Sequence, residues 1–150
     1  MNEQKIGQII DDRASALAVL ERARRIAVIG IKPEAKSAAP AHYVPRYLKR
    51  AGYEVIPVPC YYPVVDQILG ERVYRTVAEI PGDVDLVVVF RRPEHIPQHV
   101  ADIIEKKPDA VWFQLGIRND DAAQRLASAG IDVVQDRCTM VDHRALRRAS

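Results

Sequence analysis

Cysteine is scarce in this chain. Of 150 residues only Cys60 and Cys138 carry a thiol, and no C-x-x-C pair occurs. No disulfide framework is expected, and a reducing cytoplasm is the predicted setting. No apolar run approaches the ~20 residues that a membrane-spanning helix needs. The amino-terminal MNEQKIGQIIDD is polar and acidic, unlike a signal peptide. Neither sign of charge dominates: the formal net charge is +2. That does not describe a nucleic-acid surface, yet it leaves room for a small anionic ligand. There is no internal repeat and no low-complexity tract. Glycine is missing where a dinucleotide fold would place it. The apolar run Arg25–Ile29 is followed by Gly30, but the loop IGIKPEAKSAAP (Ile29–Pro40) holds no second glycine and so no G-x-G-x-x-G.

The remaining composition is that of an ordinary globular protein, 48% hydrophobic and 28% charged. Its length suggests one domain, with residues 1–24 a helical segment packed on a domain of residues 25–150. In that first segment Ile6, Ile9, Ile10, Leu17 and Leu20 recur at near-helical spacing over Glu3–Arg24, with Asp11-Asp12 as an interruption. Five apolar runs then read as strands: Arg25–Gly30, Tyr53–Val58, Asp85–Phe90, Ala110–Gln114 and Ile131–Val134. Helices are expected over His42–Arg50, Pro93–Lys107 and Asp120–Ala129, with another at the tail from Cys138 to Arg147. Thr76 and Glu79 form a T-x-x-E capping box that predicts a short helix before the third strand. Pro45 is tolerable only in the first turn of its helix.

Strands that are apolar throughout and alternate with helices imply a parallel sheet covered on both faces. The expected fold is α/β, a Rossmann-like three-layer sandwich with a five-stranded parallel sheet of order 3-2-1-4-5. Its ligand crevice should lie at the carboxyl ends of the strands, near the switch between strands 1 and 4. Those ends carry Lys32 and Lys36, Arg91 and Arg92, Arg118, and Arg137. A basic rim of this kind suits a ligand with several phosphates. NAD is the first candidate to test. Its site wants loop glycines and an acid after the second strand, whereas that strand ends in Pro57-Val58-Pro59. Both requirements fail. A phosphate could still sit at the helix start near Pro40–His42, with Lys32, Lys36 and Ser37 closing over it.

Several segments together carry a resemblance to a known family. They are IAVIG (Ile26–Gly30), PAHYVPRYLKRAGYEVIPV (Pro40–Val58), VDLVVVFR (Val84–Arg91), VWFQLGIR (Val111–Arg118) and VVQDRCTMVDH (Val133–His143). The chain resembles the small single-domain CoA-binding proteins, related to the CoA-binding domain of the succinyl-CoA synthetase alpha subunit. The resemblance implies CoA as the ligand. Its pyrophosphate would lie over Gly30, Ile31, Lys32, Lys36, Ser37 and the helix start at Pro40, His42 and Tyr43. Its adenine would lie near Val58, Pro59, Tyr61, Phe90 and Arg91. The pantetheine arm would run toward Gln114, Gly116, Ile117, Arg137 and Cys138. The pattern departs at Ala39, where relatives commonly have Arg, and at Cys60-Tyr61, where they often have proline and a basic residue. Lys36 and a Tyr61–adenine stack are the expected compensations.

The implied function is non-catalytic binding of CoA or acyl-CoA, with a protein partner or a second copy of the chain as possible company. Neither a nucleic acid nor a membrane is expected as a partner. The alternative is a nucleotide-dependent enzyme, NAD(P)-linked or of the acyl-CoA ligase type, working with a partner chain. Cys138 has two readings, an inert buried thiol or one that approaches the CoA thiol with Arg137 lowering its pKa. His95 and His99 are four apart on a helix but have no third ligand in a recognisable pattern, so no metal is expected. Trp112 reads as core. Asp142-His143 has no serine in a G-x-S-x-G setting and makes no triad.

Overall fold

A computed structural model describes residues 5–149. The elements run β1 (Ile9–Ile10), α1 (Arg13–Arg22), β2 (Arg25–Ile29), α2 (Pro40–Arg50), β3 (Glu54–Val58), β4 (Gln67–Ile68), β5 (Glu71–Arg72), β6 (Leu86–Val89), α3 (Pro97–Lys106), β7 (Ala110–Phe113), α4 (Asp120–Ser128), β8 (Asp132–Val134) and α5 (Thr139–Ala149). Short 3-10 turns at Glu34–Lys36 and Pro93–His95 precede α2 and α3.

The α/β Rossmann-like parallel sheet is present, with six strands and a different order from the one expected. The order is β1-β8-β7-β6-β2-β3, and every pairing is parallel. Counting only the five long apolar strands, this is 2-1-3-4-5. The reversal of winding therefore falls between β2 and β6, the first and third of those strands, not between the first and fourth. Pro57 supplies the physical reason. It sits inside β3, opposite Val28 of β2, and has no N–H to give to a second neighbour. Proline in a strand belongs at a sheet edge, and β3 is the edge.

The segment read as one helix over residues 3–24 is different too. Its first residues, Glu3 and Gln4, lie outside the described ones. Ile9–Ile10 adds a sixth strand beside β8, and Asp12 then caps α1 by accepting from the Ser15 N–H at 2.9 Å. The T-x-x-E box makes its side-chain bonds, Glu79 N–H to Thr76 Oγ1 at 3.3 Å and Thr76 Oγ1–H to Glu79 Oε1 at 2.9 Å. It encloses only a turn, because Pro81-Gly82 follows at once. The hairpin β4–β5 was not anticipated. Leu69 (φ 56°) and Gly70 (φ 75°) form its two-residue turn, the type I′ geometry that suits twisted strands.

The core is split by the sheet. Ile29, Val58, Val87, Val89, Val111 and Phe113 face α3 and α4. Ile26, Val28, Leu86, Val88, Trp112 and Val134 face α1, α2 and α5. Leu86–Val89 is buried at every position, as expected for a central parallel strand. No helix of the described residues is long and apolar enough to cross a membrane.

Candidate functional site

The carboxyl ends of β2 and β6 diverge into a cleft of about 380 Å³, lined by Gly30, Lys32, Ala39–Ala41, Phe90–Pro93, Gly116 and Ile117. That volume is within the range of small-ligand sites. Gly30 makes the cleft possible. It has φ +82°, and a Cβ there would stand 2.1 Å from the Phe90 carbonyl oxygen. No other residue lets β2 leave the sheet so close to the exit of β6.

The loop after Gly30 is fastened to α2 by two bonds. Pro45 offers no N–H to the Ala41 carbonyl one turn earlier, and its ring turns that carbonyl aside. The Ala41 carbonyl accepts instead from the Lys32 N–H at 3.1 Å. Pro45 is thus inside α2, not in its first turn, and the bond lost from the helix anchors the loop. The second bond joins His42 Nδ1 to the Lys32 carbonyl at 2.8 Å. A carbonyl only accepts, so Nδ1 carries the proton. The His42 ring is 2% exposed, packed under the loop.

The helix start itself has no side-chain cap, with Ala39 at the N-cap and Pro40 in the first turn. Pro40 has no N–H, and those of His42 and Tyr43 donate to the Ala39 carbonyl at 2.9 and 3.0 Å, which leaves the Ala41 N–H and the helix dipole to favour an anion at this end. Around it, the side chains of Lys32, Lys36 and Arg92 have neither an ion pair nor a hydrogen bond among the described residues. The other basic groups of the rim are engaged. Arg118 pairs with Asp120 at 3.1 Å. Arg137 holds Asp142 in a two-pronged contact of 2.7 and 3.0 Å, and that hydrogen bonding raises its pKa. Positive charge available to a ligand therefore gathers at the β2/β6 switch.

On the β3 side, Arg91 lies 5.5 Å over the Tyr61 ring and donates to its hydroxyl at 3.3 Å. Its Nε–H donates to His99 Nε2 at 3.1 Å, and Cys60 Sγ lies 3.9 Å from that same nitrogen. Burial pushes the Cys60 thiol up, against the pull of Arg91. The Tyr61–Val65 loop is fixed by Arg75, whose guanidinium donates to the carbonyls of Tyr61, Tyr62, Pro63 and Val65.

Of the residues expected at the site, Gly30, Lys32, Pro40, Phe90, Arg91, Gly116 and Ile117 line one cleft. Tyr61 is beside it through Arg91. Val58, Pro59 and Ile31 are buried. Lys36 and Ser37 are exposed where the 3-10 turn runs toward α2. Tyr43 faces away, into a separate groove between α2 and α5. Gln114, Arg137 and Cys138 do not line the cleft. Gln114 Oε1 accepts from the Thr139 N–H at 3.0 Å and its hydroxyl at 2.9 Å, which ties β7 to the start of α5. Arg137 gives its carbonyl to Trp112 Nε1 at 2.7 Å. The Cys138 carbonyl accepts from the Asp142 N–H at 3.0 Å. Sequence reasoning did not assign Ala41 and Pro93 to the lining. The only signal for them was adjacency to Pro40 and Arg92.

Fold and site together define a Rossmann-like domain whose crevice at the winding switch is bordered by unpaired cations and which lacks the glycine loop of a dinucleotide binder. The comparisons identify which branch of that class this is. A family model described as a CoA binding domain matches residues 24–144, and the chain belongs to that family. It is 36% identical over 133 residues to the uncharacterized protein YneT of Bacillus subtilis (strain 168), covering 87% of this chain and 93% of the relative. The solved structure of cell-free ID.343 from Thermus thermophilus is 37% identical with a TM-score of 0.81, covering 91% of this chain and 99% of that one. The fold alone is shared with the dinucleotide-forming acetyl-coenzyme A synthetase 1 of Ca. Korarchaeum cryptofilum, at 20% identity and a TM-score of 0.63. The match covers 78% of this chain and 26% of that one.

Proposed function

We propose that this protein binds CoA or acyl-CoA in the cytoplasm without transforming it, and presents or sequesters it for a partner. The observation that carries this reading is the set of three unpaired cations, Lys32, Lys36 and Arg92, around the uncapped start of α2 in a member of a CoA-binding family. CoA carries a pyrophosphate and a ribose phosphate, enough negative charge to engage all three. The pyrophosphate sits over Lys32 and the Pro40–Ala41 N-terminus, with Lys36 and Ser37 on its outer side. Adenine stacks at Tyr61, whose ring Arg91 already holds. The pantetheine arm leaves past Phe90, Gly116 and Ile117, and the thiol ends toward Cys138. Gly30 gives the phosphates a close approach to backbone. His42 acts by bracing the loop rather than by touching phosphate.

Isothermal titration with CoA, dephospho-CoA, NAD and NADP tests the reading. CoA should bind in the micromolar range or tighter, at about −8 kcal/mol or better. Dephospho-CoA should bind more weakly and NAD not measurably. Binding of NAD in preference to CoA overturns the reading.

A further inference from the structure

A second basic site lies outside the CoA cleft. On α2, Tyr43, Arg46, Tyr47 and Arg50 are spaced i, i+3, i+4 and i+7 and form one face. Met140 and Arg144 of α5 stand across from them, and the six enclose a groove of about 300 Å³. Arg144 lies 5.2 Å over the Tyr47 ring. Tyr47 in turn is held by its hydroxyl to His143 Nδ1 at 2.8 Å, so the floor of the groove is fixed. None of Arg46, Arg50 and Arg144 pairs with a carboxylate among the described residues. Neither helix could supply one. α2 contains no acidic residue, and the one acid of α5, Asp142, is 5% exposed and taken by Arg137. A chain of net charge +2 thus gathers three arginines, Arg46, Arg50 and Arg144, around one groove with no carboxylate among the described residues to neutralise them.

We propose that this groove docks an acidic segment of a partner protein whose carboxylates are interleaved with apolar side chains. Arg46 and Arg50 on one wall and Arg144 on the other supply forked donors matched to carboxylates. The rest of the lining is tyrosine and methionine, and Tyr, Met and Arg are the residue types enriched in the buried centres of protein interfaces. The face from Tyr43 to Arg50 is about 10 Å long at 1.5 Å per residue. That is the reach of two turns of a docked helix, far short of the broad basic surface of a nucleic-acid binder. The position bears on function, because Tyr43 is one turn below the Pro40–Ala41 wall of the cleft. A segment bound here would hold its parent protein at the mouth of the CoA site.

The test uses a labelled amphipathic peptide of about 15 residues, with Glu at i, i+4 spacing beside Leu, followed by fluorescence anisotropy. A Gln-for-Glu version, an oligouridylate and inorganic pyrophosphate are compared with it. Binding of the Glu peptide should weaken by about tenfold or more between roughly 50 and 300 mM salt. It should be lost in an Arg46→Glu/Arg50→Glu variant and reduced in Arg144→Ala, while CoA titrations and melting of both variants stay unchanged. Equal binding of the Gln version, preference for oligouridylate or pyrophosphate, or no binding to the folded wild type overturns the proposal. Because CoA affinity is read separately, failure here is distinct from failure of the CoA reading.

Discussion

Arg91 Nε–H donates to His99 Nε2 across 3.1 Å. The acceptor nitrogen needs a free lone pair, so His99 is neutral and carries its proton on Nδ1. Burial holds its pKa below the ordinary 6.5, and the Arg91 charge acts in the same direction, with Asp102 opposing. As pH falls through 6.5 the unfolded chain takes up this proton before the folded one does, so stability declines on the acid side and is unaffected above about pH 7. His143 adds to the decline with the same sign, through burial and Arg147. The His99 ring, followed by NMR in the folded protein, should titrate below 6.5. His99→Gln keeps an acceptor for Arg91 and should flatten the acid-side fall in melting temperature. A midpoint at or above 6.5 would contradict the assignment.

Pro45 and Lys32 are coupled through the Ala41 carbonyl. Pro45→Ala restores a helical N–H and lets that carbonyl turn back to it. The expected result is unchanged or slightly raised thermal stability, faster hydrogen exchange at the Lys32 amide, and CoA affinity reduced several-fold. An unaltered Lys32 exchange rate would show that the loop is held by other means.

Gly30 permits no side chain. Alanine there would combine a left-handed φ with a 2.1 Å overlap on the Phe90 carbonyl, a loss of about 2 kcal/mol or more. Gly30→Ala should lower the denaturation midpoint and abolish CoA binding. Gly116→Ala has no atom within 4 Å of the new Cβ, and its φ of +85° alone should cost about 1 kcal/mol. Equal effects of the two substitutions would remove the close approach from the explanation.

The five long strands and most helices were legible because each inner strand carries an unbroken apolar run, complete in Leu86–Val89 and preceded by a single polar residue in β2 and β8, and each helix has a start or stop residue. Strand order was less accessible, since buried parallel strands look alike to composition. Pro57 nevertheless marked β3 as an edge, which an order of 3-2-1-4-5 violates by placing that strand inside the sheet. β1 is too short for any periodicity. At the site, charge was visible but its neutralisation was not: Arg118 and Arg137 read like Lys32 until Asp120 and Asp142 are found beside them. Gln114 looked like a ligand residue for a similar reason. A lone polar residue at a strand end gives no sign that its partner is a helix 25 residues later.

Gln114 should therefore matter to stability before affinity. Gln114→Ala removes the acceptor for the Thr139 N–H and hydroxyl in a site 4% exposed, at a cost of about 1–3 kcal/mol. Gln114→Glu keeps an acceptor and should recover part of that loss. CoA affinity of the folded Ala variant should change less than threefold. A large affinity loss without a stability loss would place Gln114 on the pantetheine arm instead.

Lys32 and Arg118 carry the same charge at the same end of the sheet, but only Arg118 has an acidic partner. If CoA is held by specific unpaired cations, Lys32→Ala and Arg92→Ala should each weaken binding by roughly tenfold and reduce its salt dependence. Arg118→Ala should change affinity less than twofold, since Asp120 already neutralises it and the pair is well exposed to solvent. Titrations of the three variants at two ionic strengths separate the cases. Equal losses in all three would mean that the rim attracts CoA only through its summed charge, and that the crevice between β2 and β6 has no particular claim to the phosphates.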